Sequence, residues 1–309
     1  MDMVAVDFGV QIEPQYGFTY EHIREVASEA ERLGFESIWV SDHFFMTDDS
    51  LEVNCLECWT VLTALARDMK TLRLGAMVAS QSYRNPALSA NMAASVDHVS
   101  GGRLNYGVGA GWKEAEYRAY GYGFPGAGRR IRQLDEAVEI VRRMWTQPKA
   151  TYEGKYYSVR DAICMPKPVQ KPLPIWIGGT GTITLRVAAK HADAVNFAWS
   201  HPPEFFEERF RVLRRHCDEI GRDFDGIRKS AGLMMRLVDD PEAAEPARDE
   251  RYLRYLSRQR PVMVLTPEDL AKRIKCYMDV GVTHFILRFH FGDELRNMRM
   301  FMDRVAKRL

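Results

Sequence analysis

The sequence predicts an α/β fold, a (β/α)8 TIM barrel that spans residues 1–309 as one domain. Three observations predict it. Short β-rich runs alternate with helical periods eight times along the chain. Several of the runs (IWV at 38–40, FILRF at 285–289) are apolar on both sides of the pleat, as strands covered on both faces are. A length of 309 residues is long for one ordinary domain but normal for one barrel. A doubly wound open sheet is the alternative arrangement of the same units.

Strand one is read at Val4–Ile12, and the helix Tyr20–Leu33 is stopped by Gly34. Strand two is Ser37–Asp42, followed by a helix over Leu56–Arg67. Strand three is Leu72–Ala79, with a helix over Ala87–Val99 that starts just after Pro86. Strand four is Arg103–Gly109 and its helix Ile131–Trp145. Strand five is Pro174–Gly178 with helix Thr182–His191, and strand six is Ala194–Ala198 with helix Pro203–Ile220. Strand seven is Ser230–Val238 with helix Pro267–Val280; strand eight is His284–Phe289, and Asp293–Leu309 closes the chain as a helix. Two stretches break this rhythm. Thr151–Pro172, rich in Lys, Pro and Tyr, reads as an extended insertion or hairpin before strand five. Asp239–Pro261, with helical spacing at Tyr252, Tyr255 and Leu256, reads as a helical excursion after strand seven. Both are too short to be domains.

Composition narrows the function classes. The chain is 46% hydrophobic and 28% charged, which supports a large packed core and argues against disorder. The formal net charge of +1 gives no reason to expect nucleic acid as a partner. No apolar run approaches the roughly 18–20 residues that span a bilayer, so no membrane association is expected. Met1-Asp2-Met3 opens no basic-then-apolar leader, and the 5 cysteines do not form a disulfide framework. A cytoplasmic setting is the expectation. No metal site is expected, because Cys55-x-x-Cys58 has no second pair of ligands; with Trp59 it reads as core packing. Met234 and Met235 also read as core.

A barrel collects function at the C-terminal ends of its strands. That rule selects Gln11, Asp42, His43, Ser80, Gln81, Gly109, Gly111, Trp112, Gly178–Thr182, Trp199, His201, Arg236, Arg288 and His290. Gly178-Gly179-Thr180-Gly181-Thr182 joins a strand to a helix N-terminus. Backbone N–H groups there can turn toward a phosphate, assisted by the helix dipole. A tight turn needing positive φ accounts for the same glycines. Gly107–Gly111 is a second glycine-rich strand end, with Trp112 as a wall. It fits either a flat ligand lying close to backbone or a crowded barrel rim. His43 stands where a side chain points from the mouth, and an imidazole can give or take a proton near neutral pH. Capping of the strand end is its plain structural alternative.

These residues sit in segments that resemble the bacterial luciferase-like monooxygenase superfamily, especially its branch that uses coenzyme F420, a deazaflavin. The segments include AERLGFESIWVSDHF (30–44), LRLGAMVA (72–79), the run RNPALSANMAASVDHVSGGRLNYGVGAGWKEAEYRAYG (84–121), YEGKYYSV (152–159), PKPVQKPLPIWIGG (166–179) and LRVAAKHADAVNF (185–197). The resemblance runs from Asp7 to Phe197, with a weaker echo to the C-terminus. It implies a cofactor lying across the C-terminal face. Asp42 would meet the polar end of the ring and His43 the substrate side, as proton donor or acceptor. A non-proline cis peptide at Met77-Val78 would support the ring from behind, with Ser80 as a polar contact. Gly111 and Gly178–Thr182 would hold the phosphate, and Gly109 would be a further cofactor contact. Glu116 matches a widespread family glutamate with an expected structural role, and Arg129-Arg130 replaces a pair that more often reads Glu-Arg.

The resemblance also sets limits. A sugar-phosphate dehydrogenase branch carries a glutamate where Trp112 stands and a lysine where His201 stands, which argues against glucose 6-phosphate. The expected activity is hydride transfer between coenzyme F420 and a small organic substrate. Trp112, Trp199, His201 and Arg288 are the expected substrate contacts. An FMN-dependent monooxygenase and a non-catalytic flavin-binding relative remain the alternatives. A homodimer is the family expectation.

Overall fold

A computed structural model describes residues 6–240, 242 and 262–309. Eight parallel barrel strands follow one another around a closed ring. They are β1 (Asp7–Ile12), β2 (Ser37–Val40), β3 (Arg73–Ala76) with its continuation β4 (Ala79–Ser80), β5 (Leu104–Gly109), β8 (Ile175–Gly178), β9 (Ala194–Phe197), β10 (Arg228–Leu237) and β12 (His284–Phe289). The ring closes where β9 pairs with β10 and β12 pairs with β1. The predicted barrel is therefore the fold, and the open sheet is not.

The helices lie where their periods place them: α1 (Tyr20–Leu33), α2 (Cys58–Asp68), α3 (Pro86–Ser100), α5 (Ala127–Thr146), α6 (Thr182–His191), α7 (Pro203–Glu219), α8 (Pro267–Asp279) and α9 (Glu294–Arg304). In α1 the apolar residues Ile23, Val26, Ala27 and Ala30 are all buried. Thr19 Oγ1 accepts from the His22 N–H at its start, and Gly34 ends it at φ 84°. Glu57 caps α2 in the same way by accepting from Thr60 N–H at 2.7 Å.

The barrel interior is packed, not hollow. Trp39 and Trp176 meet edge-to-face with ring centroids 4.7 Å apart. A Cβ on Gly75 would lie 2.3 Å from the Trp39 ring, so only glycine leaves room for that indole. Fully buried His284 shares its Nδ1 with Ser230 Oγ at 2.9 Å, and Ser230 accepts from Asn196 Nδ2 at 2.9 Å.

Several predicted boundaries are corrected. Strand two stops at Val40, so Asp42 and His43 lie in the loop beyond it. Strand three is not continuous: it breaks at Met77-Val78, whose peptide bond is cis as expected. A second non-proline cis bond, Ala198-Trp199, ends strand six unforeseen. Strand seven starts earlier, at Arg228, and the fourth-strand helix starts at Ala127. A short helix α4 (Glu114–Ala119) and a strand β11 (Met263–Leu265) were not anticipated. The Thr151–Pro172 insertion contains an antiparallel hairpin of β6 (Ala150–Glu153) and β7 (Ser158–Ala162). The excursion predicted over 239–261, with Tyr252, Tyr255 and Leu256, lies almost wholly outside the described residues.

Candidate active site

The C-terminal strand ends surround a cleft of about 360 Å³. That is within the range of small-molecule sites. Asp42 and His43 line it from the loop after β2, and Met77, Val78 and Ser80 from the break in strand three. Gly109, Gly111 and Trp112 follow β5; Gly178, Gly179 and Thr180 follow β8; Trp199 follows β9. These predicted residues thus converge from five strand ends. Val78 is packed so closely that a Cβ on Gly109 or Gly178 would lie 2.7 or 2.8 Å from its methyls.

Four predicted site residues stand elsewhere. Gly181 and Thr182 are exposed at the start of α6, outside the cleft wall. His201 stacks on Phe205 with ring centroids 3.8 Å apart, because the chain turns into α7 there. Arg288 is buried behind the wall: it pairs with Glu13, and its guanidinium lies 4.5 Å from the centre of the Tyr16 ring. The strand-end rule also selected Arg236 and His290. Neither lines the cleft, and Arg236 pairs with Asp293 at 2.8 Å.

The central arrangement joins His43 to Glu116, 73 residues later. His43 Nδ1 and Glu116 Oε2 are 2.9 Å apart. Glu116 is fully buried, yet five donors reach it: His43, Tyr83 Oη at 2.8 Å, Lys113 Nζ at 3.1 Å, and the N–H groups of Phe44 at 2.8 Å and Phe45 at 3.4 Å. Burial pushes its carboxyl pKa up, but the hydrogen bonds and charges of His43 and Lys113 outweigh this and hold it at about 2. The ionised carboxylate makes His43 Nδ1 the donor and leaves Nε2 as the nitrogen for chemistry. Trp112 stands edge-on to the imidazole, centroids 5.6 Å apart.

Asp42 is tied differently. Its carboxylate accepts from Arg84 through both oxygens at 2.7 and 3.0 Å, and from the Ser80 N–H at 3.1 Å. Arg84 also pairs with Glu57. Asp42 therefore clamps the strand-two end to the strand-three break. Sequence reasoning missed Arg84 and gave Glu116 no partner; no local spacing reveals either contact. It also passed over Glu13, Lys113 and Thr184 and read Arg130 only as part of an altered pair, yet all four line the cleft. The predicted core packing holds for Cys58, which is buried, whereas Cys55 is half-buried and its Sγ donates to His43 O at 3.1 Å. Burial pushes the Cys55 thiol up to about 12, which is unsuited to thiolate chemistry. Among the described residues, no three His, Cys, Asp or Glu side chains gather as a metal site, and no helix is long and apolar enough to cross a membrane.

A cofactor can be fitted against these walls. The Gly178–Thr180 edge adjoins the N-terminus of α6, whose first turn holds no acidic residue and whose cap makes no side-chain hydrogen bond. Those N–H groups suit a phosphate. Gly111, at φ 78°, brings its backbone to the cleft wall. Fold and site together define a barrel whose C-terminal strand ends enclose one cleft, edged by Gly178–Thr180 and holding a histidine–carboxylate pair.

The chain matches the luciferase-like monooxygenase family over residues 3–284 and belongs to that family. An F420-dependent glucose-6-phosphate dehydrogenase of Segniliparus rotundus is 26% identical, with 94% of this chain and 95% of the relative covered. One of Microbacterium testaceum is 28% identical, with 91% and 90% covered. The solved structure of an F420-dependent secondary alcohol dehydrogenase, in complex with an F420–acetone adduct, superposes with a TM-score of 0.86. It is 19% identical and 99% of each chain is covered, so that likeness carries the fold.

Proposed function

We propose that this protein is a coenzyme F420-dependent oxidoreductase that transfers a hydride between the deazaflavin and a small organic substrate. The observation that carries the reading is the His43–Glu116 pair on a cleft edged by the Gly178–Thr180 turn. The names of the relatives support the cofactor. The bound cofactor supplies hydride chemistry at its ring.

The chain's own residues do the rest. Glu116 holds the His43 ring by Nδ1, and Nε2 takes or gives the proton that accompanies the hydride. Val78 and the glycine-flanked strand ends form the back wall for the ring. Asp42, held by Arg84, presents a fixed polar edge. Trp112 and Trp199 make the substrate side largely aromatic. The two lysine and arginine side chains in the wall, Lys113 and Arg130, are engaged with Glu116 and with the Gly111 carbonyl among the described residues. A neutral alcohol or carbonyl compound suits this wall better than a sugar phosphate. The five thiols are unpaired, which fits a reducing cytoplasm, and a homodimer belongs to the same reading.

The test is fluorescence titration of the purified protein with F420 and with FMN. Saturable binding of F420 in preference to FMN is expected; tight binding of FMN alone would replace this reading with an FMN monooxygenase. Gly179→Leu should weaken F420 binding by tenfold or more, since Gly179 sits at φ 126° in the anion edge. His43→Ala should keep the affinity and lower hydride transfer by about 10²–10⁴, screened with secondary alcohols and ketones. An unchanged rate would point to the non-catalytic alternative for His43. Light scattering reads the oligomeric state.

A further inference from the structure

Gly232 lies in the middle of β10 and is buried. Its φ falls outside the left-handed region, so the backbone there does not call for glycine. Space does. A Cβ at this position would lie 2.9 Å from both Cε3 and Cζ3 of Trp199, and 3.0 Å from the Ala198 Cβ. Ala198 and Trp199 both line the cleft, whereas Gly232 does not. The missing side chain is the room into which the edge of that indole withdraws.

The chain around this contact is tied to β10. The Ser200 N–H donates to Gly232 O at 2.8 Å, and the Met234 N–H donates to Ser200 Oγ at 3.0 Å. These two bonds hold the backbone that carries Trp199 against residues 232–234. The indole has β10 on one side and the cleft on the other. A carbon–carbon contact relaxes only at about 3.5–4.0 Å, so a methyl group at 232 would drive the ring outward by roughly 0.5–1 Å. The open direction is the cleft.

Resting on the oxidoreductase reading, we infer that Gly232 is a specificity-determining position, which holds Trp199 back and so sets the length of substrate that the cleft admits. It is a positioning residue and acts through Trp199. The wall that it leaves open suits a substrate with an apolar chain beside its alcohol or carbonyl group.

Two readouts test this. The first needs no cofactor. Of the 6 tryptophans, Trp39, Trp59, Trp145 and Trp176 are buried, Trp112 is exposed and Trp199 is half-buried. In a Trp112→Phe background acrylamide therefore quenches chiefly Trp199. Gly232→Ala should raise the quenching constant, and an unchanged constant overturns the inference. The second readout compares methyl ketones of increasing chain length, from acetone upward, with reduced F420. Gly232→Ala should lower kcat/KM for the longest accepted ketone, relative to acetone, by about tenfold or more, mostly through KM, as a misfit of one methylene in an apolar pocket does. Adding Trp199→Leu, which removes the crowded ring, should restore the ratio. Trp199→Leu alone leaves Gly232 uncrowded and should raise the ratio or extend the range. No change in Gly232→Ala or in Trp199→Leu, equal losses for all ketones, or a loss that survives the added Trp199→Leu overturns the size limit and leaves the functional reading intact. Absence of turnover by wild type with every ketone and secondary alcohol overturns that reading and this inference together.

Discussion

Glu116 Oε2 accepts a hydrogen bond from His43 Nδ1 at 2.9 Å, and Tyr83 Oη donates to the same oxygen at 2.8 Å. The carboxylate is thus the fixed point on which the imidazole, the loop after β2 and the start of α4 are hung.

Glu116→Gln should therefore change acid stability. The folded-state carboxyl sits at about 2 against an ordinary 4.5. A lowered carboxyl stabilises the fold above its unfolded value and loses that contribution as pH falls from 4.5 toward 2. The contribution is on the order of 3 kcal/mol for such a shift. Urea unfolding between pH 7 and pH 3 should fall less steeply in the glutamine variant. Parallel curves would refute the assignment.

Glu294 behaves in the opposite sense. Burial raises its carboxyl to about 7 and outweighs its own N–H, the Gly292 N–H at 2.9 Å and the charge of Arg288, while Asp293 adds to the rise. A raised folded value stabilises below the unfolded 4.5 and is lost as pH rises toward 7. Glu294→Gln should accordingly flatten the stability decline over that interval. A decline of unchanged slope would place the cause elsewhere.

Arg84→Met should cost about 3–5 kcal/mol of unfolding free energy, because it strands the Asp42 carboxylate, whose side chain is 1% exposed. Adding Asp42→Asn should recover part of that loss. A double variant no more stable than Arg84→Met would show that the pair is not the source.

Two glycines separate crowding from backbone conformation. Gly111 is at φ 78°, and a Cβ there would lie 1.8 Å from Tyr117 Oη and 2.6 Å from Ser80 Oγ. Gly101, at φ 71°, has nothing within 4 Å. Gly101→Ala should cost about 1–2 kcal/mol, the conformational term alone. Gly111→Ala should cost clearly more and should break the hydrogen bonds of Tyr117 Oη to Ser80 and Ser82, both 2.6 Å. Thermal unfolding of the two variants makes the comparison, and equal losses would dismiss the crowding.

The local code carried most of the architecture. Alternating periods, helix caps and glycine stops act between residues a few positions apart, so they placed all eight barrel strands and most helix starts. The rule that strand ends carry function, together with the family resemblance, found the residues of the cleft wall. Boundaries drifted where no local signal exists, as at Ala127, whose helix opens on Gly126 with no side-chain cap.

What the sequence by itself determined is the barrel, the family and the ring of candidate strand ends, because these follow from periodicity and from motifs contiguous in the chain. Only the tertiary structure decided that His43 meets Glu116 across 73 residues, that Asp42 is bound to Arg84 across 42, and that Arg288 turns behind the wall to Glu13. Such contacts depend on the register and tilt at which the strands close and on the path of each loop. A buried carboxylate then takes whichever donors that closure brings within reach, since leaving it unpaired costs several kcal/mol.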